Sequence, residues 1–370
     1  MVHNLEEGPL AGVARKVLDG RRLSREDGIR LWESDDLPAI GLLSDYARRR
    51  KVGNDVFFIN NAHINHTNVC RNLCELCAFG KKPGDRGAYT LSIEEIAARA
   101  EKLRGLGITE VHIVGGLNES LPFSYYEEML RTVKEILPEV HIQAFDAVEI
   151  DFLGEISGLD LEEVLLRLKE AGLGSLPGGG AEIFNPAVRK RICSKKIGPE
   201  RWLEVHEKAH RLGFRSNATM LYGHLESIED RVDHLIALRE LQDRTGGFLA
   251  FIPLAFHPKN TSFEHLPGTT GMMDLKALAI ARLMLDNFDH IKAFWIMITP
   301  KVAQVSLSFG VDDLDGTVRE ERIAHEAGAE TAQYQPPEAF LQMIREAGRT
   351  PVERDTLYNV IRRYGPERSL

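Results

Sequence analysis

From residue 56 onward, short apolar runs alternate with longer amphipathic segments, and this alternation limits the fold more than any other feature. The runs are Val56–Asn65, Glu110–Val114, His141–Asp146, Leu173–Leu176, Arg215–Tyr222, Leu249–Phe256, Ile291–Thr299 and Val302–Phe309. Between them, apolar residues recur at helical spacing over about 92–106, 123–137, 160–172, 199–213, 227–245 and 274–288. Ser92 with Glu95 makes a capping-box pattern, and Gly105, Gly172 and Gly213 stand near helix ends. Strands alternating with helices form βαβ units and a parallel sheet, and runs apolar on both faces suit strands buried on both sides. Eight runs predict an α/β fold, a (β/α)8 TIM-type barrel over residues 51–318 rather than a doubly wound sheet.

Residues 1–50 read as helical, through Leu10, Val13, Val17 and Leu18 and again through Ile29, Leu31, Leu37, Ile40 and Leu43. Ser24 with Asp27 resembles a capping box. This block is expected to be a lid or belt outside the barrel. Residues 319–370 are expected to form a helical extension packed on it, with helices at Glu320–Ala327 and near 338–347, a Pro336-Pro337 break and a polar tail at 350–355.

The chain is 43% hydrophobic and 27% charged, ordinary values for a soluble globular protein. A net charge of −9, with no long run of one sign, argues against a nucleic-acid backbone as partner. No run approaches the length of a membrane span. The opening residues lack the apolar stretch of a signal peptide. Four cysteines in such a chain do not make a disulfide framework. The expectation is a cytoplasmic protein.

Three of those cysteines, Cys70, Cys74 and Cys77, lie in one loop after the first run, as C-x3-C-x2-C; the fourth, Cys193, is far away. Such clustering points to metal ligation with one coordination position open. Three readings stand: an iron–sulfur cluster with one iron free of protein ligands, a Cys3His zinc site completed by His66, and unligated thiols. The other strand ends carry Gly115-Gly116-Leu117-Asn118, then Pro177-Gly178-Gly179-Gly180-Ala181-Glu182, Tyr222-Gly223-His224, His257-Pro258-Lys259-Asn260 and Asp312–Thr317. In a barrel these gather at the C-terminal face, where such folds keep their chemistry. Glycines after strands are also ordinary turn residues.

The cysteine spacing at the end of a first barrel strand, with Gly115-Gly116 after the second, resembles the radical S-adenosylmethionine (SAM) superfamily. The resemblance implies a 4Fe–4S cluster on Cys70, Cys74 and Cys77, with the amino and carboxylate groups of SAM on the fourth iron. One electron then cleaves the C5′–S bond. Leu76 occupies a position that is aromatic or aliphatic in most members. Segments 63–70, 77–80, 87–92, 114–118, 175–184, 218–224, 251–258 and 312–317 further resemble the futalosine-pathway enzymes of menaquinone biosynthesis. Phe184, Tyr222-Gly223-His224, Ala255–Pro258 and Asp312–Thr317 look like the aminofutalosine synthase family rather than the sister cyclases acting on dehypoxanthine futalosine. His66 and Glu119 stand where prolines are common.

The synthase resemblance implies a transferase that joins the adenosyl group of SAM to 3-(1-carboxyvinyloxy)benzoate, with aryl migration and loss of a carboxylate. The products are 6-amino-6-deoxyfutalosine, methionine and bicarbonate. It implies a one-electron donor such as a flavodoxin or ferredoxin, no membrane or nucleic-acid partner, and a homodimer as the candidate assembly. The alternatives are the cyclase and a non-catalytic iron–sulfur or zinc protein.

Candidate roles follow. Gly115 and Gly116 let backbone approach the methionyl amino group, and Asn118 ends the same turn. Phe79 neighbours adenine. Glu182 suits ribose hydroxyls or the sulfonium, or a helix N-terminal charge. Asn217 suits a ribose or a backbone contact. Arg191 is the chosen carboxylate partner among the cations at 71–86 and 189–196. His66, His224 and His257 are acid–base candidates, His66 first. Asp313 and Asp315 orient substrate or cap a helix. Cys193 is a bystander.

Overall fold

The computed structural model describes residues 8–365. The first seven and last five residues, on which the leader expectation and the ends of the 1–50 and 319–370 segments fall, lie outside them.

Eleven strands are present among the described residues: β1 (Asp55–Ile59), β2 (Asn61–Ile64), β3 (Glu110–Ile113), β4 (His141–Ala144), β5 (Ser175–Leu176), β6 (Arg215–Tyr222), β7 (Phe248–Ala255), β8 (His290–Ile291), β9 (Asp313–Gly316), β10 (Thr350–Arg354) and β11 (Val360–Arg363). Strands β2 to β8 form one parallel sheet in sequence order. Its register sets His63 opposite His112 and His112 opposite Gln143. The sheet curls, and the segment from β9 to Arg319 touches both of its edges through single parallel bridges, Lys292 to Asp313 and Ala62 to Arg319. The chain is therefore a curled parallel α/β barrel with seven regular strands.

Three expectations about strands change. Ile291–Thr299 is strand only at its start, as the end of β8, and Trp295–Ile298 is a short helix. Val56–Asn65 is two strands, broken at Asn60, whose side-chain amide donates to Leu106 O and Gly107 O (3.0 and 2.9 Å). Val302–Phe309 is not the eighth strand: Pro300–Ser306 is a helix, with Thr299 as its cap and Pro300 at its first turn. The segment read as a loop after that strand holds β9 instead.

The helices largely follow the apolar periodicity, at Ile93–Leu103, Phe123–Ile136, Leu161–Ala171, Pro199–Arg211, Ile228–Thr245 and Gly271–Met284. Ser24 and Ser92 each complete the capping box read in the sequence. Gly172 closes its helix at φ 115°, a conformation that favours glycine. A further helix, Ala147–Ser157, starts at a capping box of Asp146 and Glu149.

Of the described N-terminal helices, Arg25–Glu33 and Leu37–Val52 pack on the outer helices Ile228–Thr245 and Gly271–Met284, and Ala11–Leu18 packs on Leu37–Val52. Lys276 donates to Trp32 O and Ser34 O (2.5 and 2.7 Å), and Arg239 to Leu23 O (2.9 Å). None of these helices lines the central cavity. At the other end, the polar tail is β10. It runs parallel to β1 and antiparallel to β11, so the extension is not purely helical.

Candidate active site

A cavity of about 330 Å³ occupies the middle of the curled sheet. Its mouth is closed on one side by the cysteine loop. Backbone bonds fix this loop from both flanks. Cys70 N–H donates to Lys81 O (3.0 Å), Gly116 N–H to Thr67 O (2.8 Å) and Arg71 N–H to Leu117 O (3.0 Å). The Asn68 side chain ties in the segment behind, donating to Gly87 O and accepting from Tyr89 N–H.

Cys70, Cys74 and Cys77 all line the cavity as free thiols. Gly80 N–H donates to Cys77 Sγ (3.4 Å). Burial pushes the Cys74 thiol up to about 12 and the Cys77 thiol up as well, so neither is a free nucleophile. Ligation to a metal deprotonates such a thiol outright. Among the described residues, no three His, Cys, Asp or Glu groups are grouped as one metal ion requires. A zinc ion needs all its sulfurs about 2.3 Å from one centre; three thiols along a cavity wall suit the separate irons of a cluster.

Gly116 is tightly constrained. A Cβ there would lie 2.2 Å from Val69 O and 3.0 Å from Cys70 Cβ. At Gly115 a Cβ would lie 2.5 Å from His66 Cε1. The glycine pair thus lets the cysteine loop pack directly onto the end of β3. Gly115 N–H donates to Glu149 Oε1 (3.0 Å).

Of the remaining sequence candidates, Phe79, Glu182, Asn217 and His257 line the cavity with the cysteines and glycines. Glu182 holds φ 48° and pairs with Lys196 Nζ at 2.6 Å. Burial opposes its ionisation, but the Lys196 ammonium more than offsets this and holds its pKa below the ordinary value. Asn217 Nδ2 lies 3.5 Å from Gln143 Oε1. His257 Nε2 lies 2.8 Å from Met297 O.

Four candidates lie elsewhere. His66 is completely buried behind the loop against Tyr126 and Phe145, and neither ring nitrogen has a hydrogen-bond partner. Burial pushes its pKa down to about 3, so it is a neutral core group. His224 accepts Leu225 N–H at Nδ1 (2.7 Å), with Nε2 3.1 Å from Leu221 O, and shapes its own turn. Asn118 is spent on Thr90 and Ser120. Arg191 is exposed on the outside of the helix Pro186–Ile192.

The cations in the cavity are Lys196 and Lys292. Lys292 was missed by sequence reasoning, as were His63, Glu110, His112, Gln143, Asp146 and Glu149. The available signal was polar residues at every second position of strands buried on both faces, such as Glu110 and His112. Asp315 lines the cavity beside Lys292, whereas Asp313 pairs with Arg354 at 2.6 Å. Cys193 is buried outside the lining.

Residues 64–238 match the model of the radical SAM superfamily, and residues 245–366 match that of the CofH/MqnC C-terminal region. The chain is 45% identical to an aminodeoxyfutalosine synthase of Thermus thermophilus over 98% of both proteins. It belongs to the radical SAM superfamily of enzymes. A 5-amino-6-(D-ribitylamino)uracil–L-tyrosine 4-hydroxyphenyl transferase of Methanopyrus kandleri is 42% identical, over 86% of this chain and 88% of that protein. The crystal structure of methylornithine synthase shares the fold, with a TM-score of 0.73 at 19% identity over 91% of this chain and 96% of that one. Radical SAM chemistry implies a 4Fe–4S cluster and SAM, and the three thiols on one cavity wall fit that donor set.

Proposed function

We propose that the protein is an aminofutalosine synthase of menaquinone biosynthesis. It joins the adenosyl group of SAM to 3-(1-carboxyvinyloxy)benzoate and yields 6-amino-6-deoxyfutalosine, methionine and bicarbonate. The observation that carries this reading is the 45% identity to the Thermus synthase across 98% of both chains. The cavity supports it.

Cys70, Cys74 and Cys77 would hold the cluster, which supplies one-electron cleavage of SAM at its C5′–S bond. The chain itself positions and protects. The Gly115-Gly116 turn fixes the cysteine loop at the cavity mouth. Phe79, Glu182 and Asn217 face the cavity for the nucleoside, and the Lys196 ammonium keeps Glu182 ionised. Apolar residues between mouth and floor exclude water from a reactive carbon radical. A flavodoxin or ferredoxin in the cytoplasm supplies the electron.

A second reading has specific support: the transferase of Methanopyrus kandleri is nearly as similar, at 42% identity. Anaerobic assays on the reconstituted protein with SAM and reductant separate the two. The synthase reading expects turnover with 3-(1-carboxyvinyloxy)benzoate and none with tyrosine plus 5-amino-6-(D-ribitylamino)uracil. The opposite preference establishes the transferase. Turnover only with dehypoxanthine futalosine, releasing 5′-deoxyadenosine, establishes the cyclase.

A further inference from the structure

The cavity wall changes character from one end to the other. Inward positions of β3 run Glu110, His112 and then Val114; those of β6 run Asn217, Thr219 and Leu221. Lys292 follows β8, and Phe294 comes next on the same face. The inward positions of β7 are apolar throughout, ending in Leu254 and Phe256. The strands are parallel, and the cysteine loop sits at their C-terminal ends. The polar positions therefore form a floor, and the apolar ones form a sleeve between floor and loop.

The floor contains one ammonium. Lys292 Nζ lies 3.2 Å from Asp315 Oδ1. An ammonium has three N–H donors; among the described residues Asp315 is its one side-chain partner at ion-pair distance, and the Glu110 carboxylate acts on it from further off and is itself held below its ordinary pKa by it. Glu110 faces the same floor, with its Oε1 taking the Asn61 amide (3.2 Å). His63 and His112 stack there with ring centroids 4.6 Å apart, and burial holds both below the ordinary histidine range. Burial also raises the Asp315 carboxyl against the pull of Lys292.

We propose that Lys292 binds an anionic substituent of an aromatic substrate at this floor, with the ring in the apolar sleeve and the reacting end turned toward the cysteine loop. The inference rests on the synthase reading, in which the substrate is a benzoate whose enol ether must meet the adenosyl carbon. It adds a direction: the ring carboxylate points down, away from SAM, and displaces Asp315 from part of the ammonium. Lys292 is then a specificity-determining residue.

Calorimetric titration of the cluster-reconstituted protein with 3-hydroxybenzoate and with 3-hydroxybenzamide tests it without turnover. The carboxylate should bind roughly 10–100-fold more tightly than the amide, the range for a charge-assisted hydrogen bond. The double variant Lys292→Met with Asp315→Asn, which leaves neither charge unpaired, should lose that preference. Equal binding of the two ligands to the unaltered protein, binding of neither, or a preference that survives in a folded double variant overturns the proposal. If that variant fails to fold, the variant Lys196→Met with Glu182→Gln, at the cavity's other ammonium, decides the matter: it should keep the preference, and its loss there overturns the proposal. A protein that shows the preference yet does not turn over 3-(1-carboxyvinyloxy)benzoate contradicts the synthase reading and leaves the floor assignment in place.

Discussion

Lys196 Nζ and Glu182 Oε1 lie 2.6 Å apart, Glu182 just after the triple glycine and Lys196 beyond the helix Pro186–Ile192, and both side chains face the cavity beside Cys74. The two are only 18% and 11% exposed, so neither is easily left alone. Removing one partner of a buried pair costs about 3 kcal/mol or more, chiefly because the other charge is stranded. Lys196→Met should therefore lower the melting temperature, and adding Glu182→Gln should restore most of it. The pH dependence has a definite sign. The folded Glu182 pKa lies below its ordinary 4.5, so its contribution is present above pH 4.5 and is lost as pH falls through the lower folded value. Thermal melts at descending pH should show this loss in the unaltered protein and not in the double variant.

Gly116 tests the packing of the cysteine loop. An alanine Cβ there would meet the Val69 carbonyl at 2.2 Å, which is backbone and cannot rotate away. Gly116→Ala should displace the loop, cost about 1–3 kcal/mol as overpacking does, and lower the iron bound after reconstitution. A variant with full iron content and unchanged melting temperature contradicts this account of the glycine pair.

His66 gives a prediction opposite to its place beside the cysteines in the sequence. Both ring nitrogens are buried and unpaired, so an apolar replacement removes a cost. His66→Leu should keep activity within a few-fold and match or exceed the stability of the unaltered protein. The folded pKa near 3 lies below the ordinary 6.5. Below pH 6.5 the unfolded chain takes up a proton that the folded one does not, so this residue removes about 1.4 kcal/mol of stability per pH unit. The difference between the two proteins should widen accordingly in acid. Loss of activity with an intact fold would restore His66 as an acid–base candidate.

The four cysteines should separate cleanly. Cys70→Ala, Cys74→Ala and Cys77→Ala each remove a thiol from the cavity wall and should abolish both the visible absorption of the reconstituted protein and SAM cleavage. Cys193→Ala should leave the iron content and SAM cleavage intact. Iron assays on the four variants check this directly.

The alternation of apolar runs and amphipathic segments made the parallel barrel legible, because strands buried on both faces and helices buried on one leave different periods. It failed where an apolar run was too short to show its period. Val302–Phe309 could be strand or helix, and only Thr299 and Pro300 at its start mark it as a helix. The cysteine loop was legible because no core has use for three thiols in eight residues. Arg191 and His66 were misplaced for the opposite reason: position near a motif does not tell inside from outside. Lys292 escaped notice because a single lysine at the start of an apolar run looks like surface until the strand partners are known.

The synthase reading is tested most directly by the fate of the adenosyl carbon. Reconstituted protein is given reductant, 3-(1-carboxyvinyloxy)benzoate and SAM labelled at C5′, and the products are separated and weighed by mass spectrometry. The account predicts the label in 6-amino-6-deoxyfutalosine, in amounts matching released methionine, with little free 5′-deoxyadenosine. Label confined to 5′-deoxyadenosine, with the benzoate unconsumed, would contradict it.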